Sequence, residues 1–225
     1  MTAPPPVVAI DGPAASGKGT VAQAVAAALR LHYLDSGSLY RLVALGAARR
    51  AIPAEAEAGL ASLAQSLEVA FDGKRILLDG VDVTEALRSE TISASASRIA
   101  VLPSVRGALL SRQRAFRRPP GLVADGRDMG TVVFPDAILK IYLMASAEVR
   151  AERRYKQLIE KGNSVTLEGL LLDIRERDKR DSGRAAAPLK AAADALVLDT
   201  TDMTIDASIA FVLERAKLRF TSSSG

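Results

Sequence analysis

The sequence predicts an α/β fold, a parallel sheet flanked by helices with a small inserted antiparallel β lobe, and three observations carry that prediction. Val7–Ile10 is a β-branched apolar run followed closely by a helical pattern, the grammar of a buried strand feeding a crossover helix. The grammar returns at "LVADGRDMG" (Leu122–Gly130), and "ILKIYLMA" (Ile138–Ala145) and "DALVLDT" (Asp194–Thr200) are further strand candidates. Between them, "LEVAFDGKRILLDGVDV" (Leu67–Val83) holds three short strand-like pieces punctuated by Asp72-Gly73 and Asp79-Gly80, both hairpin signals.

The remaining elements fit around these. A helix over Thr20–Arg30 has apolar positions at Val21, Val25 and Leu29. A second runs from Ser38 to about Arg50 and is stopped by Pro53, and helical patterning resumes over Glu55–Gln65. The inserted lobe has its core from Leu67 to about Glu90 and spans approximately residues 67–98 of a single 225-residue domain. Pro103–Phe116 is a helix with proline in its first turn and apolar positions at Val105, Leu109 and Leu110, broken by "RRPPG". Two heavily charged helices are expected over Ser146–Lys161 and Thr166–Asp181, and a closing helix over Thr204–Arg219. The terminal "TSSSG" carries no fold signal, and there is no internal repeat or long linker.

Composition excludes several classes. A chain of this length can bury one sizeable core, and 48% hydrophobic with 25% charged residues is the balance of a soluble globular protein. With no cysteine, a disulfide scaffold and thiolate-ligated zinc are excluded, and the cytoplasm is the expected location. "MTAPPPVV" is not a basic segment followed by a long apolar one, and no run approaches the roughly 20 apolar residues of a membrane helix. A soluble protein with no membrane partner is expected. The net charge of +4 suits an anionic partner or mere solubility, so position must decide.

Position points to phosphate. Gly12–Lys18 matches G-x-x-x-x-G-K between a strand and a helix. Small residues let the backbone wrap a polyphosphate with its amides inward, the helix N-terminus adds its positive end, and Lys18 supplies a cation for the outer phosphates. The usual serine or threonine after the lysine is Gly19, with Thr20 one place late, so a direct metal-ligand role for Thr20 stays open. No "NKxD" guanine-reading motif occurs, which weakens the switch-protein reading.

A kinase needs a second anion site, because two negatively charged reactants must be held in line. Arginines stand at four places: Arg41 in "LDSGSLYR" with Ser36, Arg106 at a helix start, Arg127 with Asp128 directly after a strand, and Arg175, Arg177, Arg180 and Arg184 in "RERDKRDSGR". Arg175 and Arg180 read better as a solvated helix face. Arg41, Arg127, Arg177 and Arg184 stand beside Gly, Ser or Asp at element ends. His32 reads as structural. Asp11 and Asp125 both close strands, and each is either a holder of a metal-bound water or a turn cap.

"IDGPAASGKGT", "LDSGSLYR", "RQRAF", "ADGRDMGTVVFPDA" and "RDSGRAAAPLK" resemble, in this order and over nearly the whole chain, the bacterial-type cytidylate kinases of the nucleoside monophosphate kinase family. The loop is generic; Ala124–Ala137 is not. The resemblance implies a phosphate-loop kinase fold with an inserted CMP-binding lobe and a helical lid over approximately 155–187, and transfer of the γ-phosphoryl of ATP to CMP or dCMP with Mg2+. It further implies that Gly12, Pro13, Ala14, Ala15, Ser16, Gly17, Lys18, Gly19 and Thr20 hold ATP, joined by Arg153. By the same likeness Ser36, Arg41, Arg127 and Arg177 serve the acceptor phosphate, Ser97, Arg106 and Asp128 the cytosine, and Asp181 the ribose. Lys18, Arg177 and Arg184 would then be catalytic. Cytosine's amino donor and its acceptors suit a carboxylate with a guanidinium or hydroxyl, which Asp128 and Arg106 supply.

A dephospho-coenzyme A, shikimate or uridylate kinase would share the loop and the lid arginines but not the pair of Asp128 and Arg106. A nucleic-acid-binding module is disfavoured, because the basic residues are mixed with acids and aromatics are only 4%. A monomer is expected.

Overall fold

Val7–Asp11 is buried at every position, as a strand covered on both faces by helices must be. The computed structural model describes residues 4–72, 75–160, 162–184 and 186–222. In chain order its elements begin with β1 (Val7–Asp11), α1 (Lys18–Leu29), β2 (His32–Asp35), α2 (Ser36–Arg49), α3 (Glu57–Ser66), β3 (Val69–Asp72), β4 (Arg75–Leu78) and β5 (Val81–Asp82). They continue with α4 (Glu90–Ile99), α5 (Pro103–Arg114), β6 (Leu122–Gly126), β7 (Leu139–Met144), α6 (Ala147–Glu160), α7 (Leu167–Ser182), β8 (Leu196–Asp199) and α8 (Ile205–Ser222).

The chain divides into two compact units, one made of residues up to Leu34 and from Phe116 on, the other of Asp35–Ala115. The first unit is built on a five-stranded sheet in the order β2-β6-β1-β7-β8, with β1 pairing in parallel to β6 and β7, and β7 in parallel to β8. Val8, Ile10, Val123, Leu139, Ile141 and Leu143 pack with Val21, Ala22 and Val25 of α1 and Val212 and Ala216 of α8 into one core. A much smaller cluster, Ala151, Leu158, Leu170 and Ile174, joins α6 to α7. The expected α/β architecture is therefore present, and its ligand end is the carboxyl ends of β1 and β6.

The second unit carries the antiparallel sheet β3-β4-β5, with Val69 opposite Leu78 and Leu78 opposite Val81. Asp79 and Gly80 have φ of 52° and 76°, the paired left-handed residues that a two-residue hairpin turn requires. Of the other expected turn, Asp72-Gly73, Asp72 ends β3 and Gly73 lies outside the described residues. Helix α3 meets α5 through the Glu57 carboxylate, which accepts from the Ser104 amide at 3.0 Å.

Three local features go beyond what the sequence patterns indicate. His32 begins strand β2, its Nε2 against the Pro119 carbonyl oxygen at 2.9 Å. The stretch after Ser89 is a full helix, α4, started by the Ser89 hydroxyl accepting from the Ile92 amide, so Ser97 is a helical residue. Met129–Val133 is a wide single-turn helix set directly after β6. No described helix is long and apolar enough to cross a membrane.

Candidate active site

The phosphate loop is forced into shape by its backbone. A β-carbon on Gly12 would stand 2.0 Å from the Leu143 carbonyl oxygen, so β1 passes β7 there at a distance only glycine allows. Gly17 caps α1 with φ 88°, a left-handed conformation, and offers no side chain to the first-turn amides. The first turn of α1 also lacks acidic residues. These amides and the helix dipole are thus left for an anion. Lys18 donates from Nζ to the Pro13 carbonyl oxygen at 3.3 Å, which folds the lysine back over the loop. The Ser16 hydroxyl is buried and has no hydrogen-bond partner among the described residues, a polar atom with unused capacity inside the loop. Gly19 lies against Asp125: a β-carbon there would be 3.4 Å from Asp125 Oδ2, and that oxygen accepts from the Tyr33 hydroxyl at 2.6 Å. Thr20 is exposed on α1.

Asp11 closes β1 and anchors the turn beyond β6. Its two carboxylate oxygens accept from the Met129 and Gly130 amides, both at 2.8 Å, so the turn that begins after Arg127 and Asp128 is tied to the residue before Gly12. Burial disfavours its charge, the two amides favour it, and the nearby Asp128 disfavours it again; burial wins, and the carboxyl is pushed up to about 7.

Two arginines of the first unit contact Asp181. Arg127 Nε donates to Asp181 Oδ2 at 2.8 Å, and Arg184 Nε donates to the Asp181 backbone oxygen at 3.1 Å with its Nη2 3.9 Å from Oδ1. Burial opposes ionisation of Asp181, but Arg127, Arg184 and Arg177 outweigh it and hold its carboxyl below the usual carboxylate range. Arg127 and Arg184 thus contact Asp181, and the charge of Arg177 acts on the same carboxylate. Arg184 itself is almost wholly buried. Arg153 donates to the Thr200 backbone oxygen at 2.6 Å and to Thr200 Oγ1 at 3.2 Å, which pins α6 to the segment between β8 and α8. Asp128 is buried beside the turn.

In the second unit, Asp35 caps α2 by accepting from the Ser38 amide at 3.1 Å and pairs with Arg41, which stations that guanidinium beside Ser36 at the helix start. Arg106 donates from Nη1 to the Tyr40 hydroxyl at 3.3 Å and to the Ala100 carbonyl oxygen at 3.2 Å, linking α5 to α2 and to the end of α4. Ser97 on α4 is buried, and its hydroxyl has no hydrogen-bond partner among the described residues.

The structure thus groups the expected residues in two sets: the loop, Arg127, Asp128, Arg153, Arg177, Asp181 and Arg184 in the first unit, and Ser36, Arg41, Ser97 and Arg106 in the second. Sequence reasoning missed the residues that station them. Asp35, Tyr33 and Tyr40 are among these; only Asp35, an acidic residue directly before Ser36, carried a sequence signal, the N-cap preference.

Known proteins resemble this chain over most of its length. The sequence model of the family described as cytidylate kinase matches residues 8–218. A cytidylate kinase of Bordetella bronchiseptica is 60% identical over 209 residues, spanning 93% of this chain and 94% of its own length. One of Burkholderia pseudomallei is 59% identical over 210 residues, spanning 93% and 92%. The family match spans both units and the relatives cover more than nine-tenths of each chain, and the chain belongs to the cytidylate kinase family.

Proposed function

We infer that the protein transfers the γ-phosphoryl group of ATP to CMP or dCMP. The observation that carries this is the family match over residues 8–218, which takes in every residue of both sets. A phosphate oxygen of CMP attacks the γ-phosphorus, the bond from that phosphorus to the bridging oxygen of ADP breaks, and the products are CDP and ADP. Little covalent work falls to the protein, so catalysis is charge placement and exclusion of water. The open amides of Gly12–Thr20 and Lys18 receive the ATP phosphates, with Arg153 on the same side. Arg177 and Arg184 neutralise the group in flight. Ser36, Arg41 and Arg127 receive the acceptor phosphate, Ser97, Arg106 and Asp128 read the cytosine, and Asp181 takes the ribose.

The pairs seen here are the resting partners of those arginines. Asp181 lends its charge to Arg127 and Arg184, as Asp35 does to Arg41, so each guanidinium stays oriented before a phosphate arrives. Magnesium binds oxygen and keeps several waters when phosphates supply part of its shell. The Asp125 carboxylate, which lies against Gly19, is an oxygen ligand that fits that requirement. When bound, the ion offsets charge on the transferring phosphoryl group. The cysteine-free composition suits action in the cytoplasm.

The test is a coupled assay of ADP release with CMP, dCMP, UMP, AMP and shikimate as acceptors. Turnover with CMP or dCMP well above the others is expected. Turnover only with UMP, AMP or shikimate would overturn the assignment.

A further inference from the structure

Arg150 is a buried cation with no role in the chemistry of transfer. Its side chain is 5% exposed, and a guanidinium is rarely buried unless its donors are engaged. Here they are. Nε donates to the Ala145 carbonyl oxygen just beyond β7, at 2.9 Å. Nη1 donates to the carbonyl oxygen of Ala14 in the phosphate loop at 3.1 Å and to Asp178 Oδ1 at 3.1 Å, and Nη2 donates to Asp178 Oδ2 at 2.5 Å. The two Asp178 contacts form the two-pronged fork in which arginine binds carboxylate most directionally.

One side chain therefore grips the loop that takes the donor phosphates and helix α7. Asp178 directly follows Arg177 and precedes Asp181 by one helical turn, so fixing Asp178 fixes the register of both. The grip also reaches the loop electronically. The Ala14 carbonyl and the Ala15 amide are one peptide group, and a cation on the oxygen makes that N–H a better donor to phosphate. The exposed pair of Arg175 and Glu148 joins the same two helices at 2.7 Å, but its side chains are more than half exposed. Such surface pairs contribute little.

We propose that Arg150 is a positioning residue for phosphoryl transfer. Through Asp178 it sets α7 against the phosphate loop, so that Arg177 and Arg184 arrive where the γ-phosphoryl group is held. This rests on the reading of the chain as a CMP kinase.

The test measures kcat and KM for ATP and CMP in Asp178→Asn, Arg150→Lys, the double variant and Arg175→Gln, after circular dichroism has established folding. Asp178→Asn keeps shape at a partly exposed position and removes the charge of the fork. Misplacing the arginines should lower kcat by about tenfold or more while each KM stays within about threefold. The double variant should be no slower than the slower single one, because both break one link. Arg175→Gln should match wild type. A folded Asp178→Asn with wild-type kcat, a loss in KM alone, or losses that multiply in the double variant would overturn the positioning role; if Arg150→Lys does not fold, the first two outcomes decide. A wild-type chain that fails to phosphorylate CMP or dCMP would overturn the function and this proposal with it.

Discussion

Asp11 and Asp181 are equally buried and titrate in opposite directions. Asp11, at the end of β1, is held by two neutral amides, and burial drives its carboxyl up to about 7. Asp181, on α7, is surrounded by Arg127, Arg177 and Arg184 and is held low. The contrast extends to packing. The sheet around Asp11 rests on a core running from Val8 to Ala216, whereas α6 and α7 share the smaller cluster of Ala151, Leu158, Leu170 and Ile174, with Tyr155 and Leu171 packed against it and ion pairs beside it. The sheet end is therefore built to hold still, through geometry that costs much to disturb. The helix pair is built to hold charge, on a smaller core tied by the Arg150–Asp178 pair.

The largest expected effect comes from the sheet end. Lys18→Ala should lower kcat by roughly three orders of magnitude with the thermal midpoint nearly unchanged, because the lysine meets phosphate and not core. Near wild-type turnover would remove the loop from the chemistry.

The two carboxylates give stability profiles of opposite slope. Because Asp11 binds its proton more tightly in the folded state, its contribution is complete below the ordinary carboxylate range and is lost as pH rises towards about 7, by an amount on the order of 4 kcal/mol. Asp181 does the reverse: its contribution is complete above the ordinary range and is lost as pH falls through its depressed value. Urea melts from pH 3 to 8 should show the decline with rising pH vanish in Asp11→Asn and the acid-side loss shrink in Asp181→Asn. Equal slopes in both variants would erase the comparison.

Packing makes the third separation. Ile141→Ala, in the middle of the sheet core, should cost about 3 kcal/mol of global stability. Leu170→Ala should cost the whole molecule less, and should instead speed amide exchange within α7. If the two variants lose stability equally, the helix pair is as tightly built as the sheet.

The smallest effect concerns specificity. Asp128→Asn exchanges an acceptor for a side chain that can present a donor, which suits uracil's carbonyl. CMP should lose about 1–3 kcal/mol in kcat/KM, with KM for ATP steady and the preference for CMP over UMP narrowed. Equal losses for CMP and UMP in a folded variant would move base reading to Ser97 and Arg106.

How much of the molecule is legible in the sequence depends on how local each feature is. The phosphate loop is nine consecutive residues, so its strand, glycines and lysine are read together. Arg127 and Asp128 come directly after their strand and are equally plain. Arg150 is not legible, since its partners are 136 and 28 residues away and only folding brings Ala14 and Asp178 to it. Strand β2 is four residues opening on an exposed histidine, of which only Leu34 is buried, with no apolar alternation to announce it. Helix α4 reads "ETISASASRI", rich in serine and β-branched residues that favour helices weakly; its Ser89 cap and its packing against α2 make it one.

A fixed sheet end and a movable helix pair should divide the work of binding and closure. Hydrogen exchange of the free protein, of the protein with a non-hydrolysable ATP analogue, and of the protein with a bisubstrate analogue joining adenosine to cytidine through phosphates tests it most directly. Val7–Asp11 should exchange slowly in all three states, and Leu167–Ser182 should slow sharply only with the bisubstrate analogue, because closure must wait for both reactants to exclude water. Full protection of Leu167–Ser182 in the free protein, or none with the bisubstrate analogue, would contradict the account.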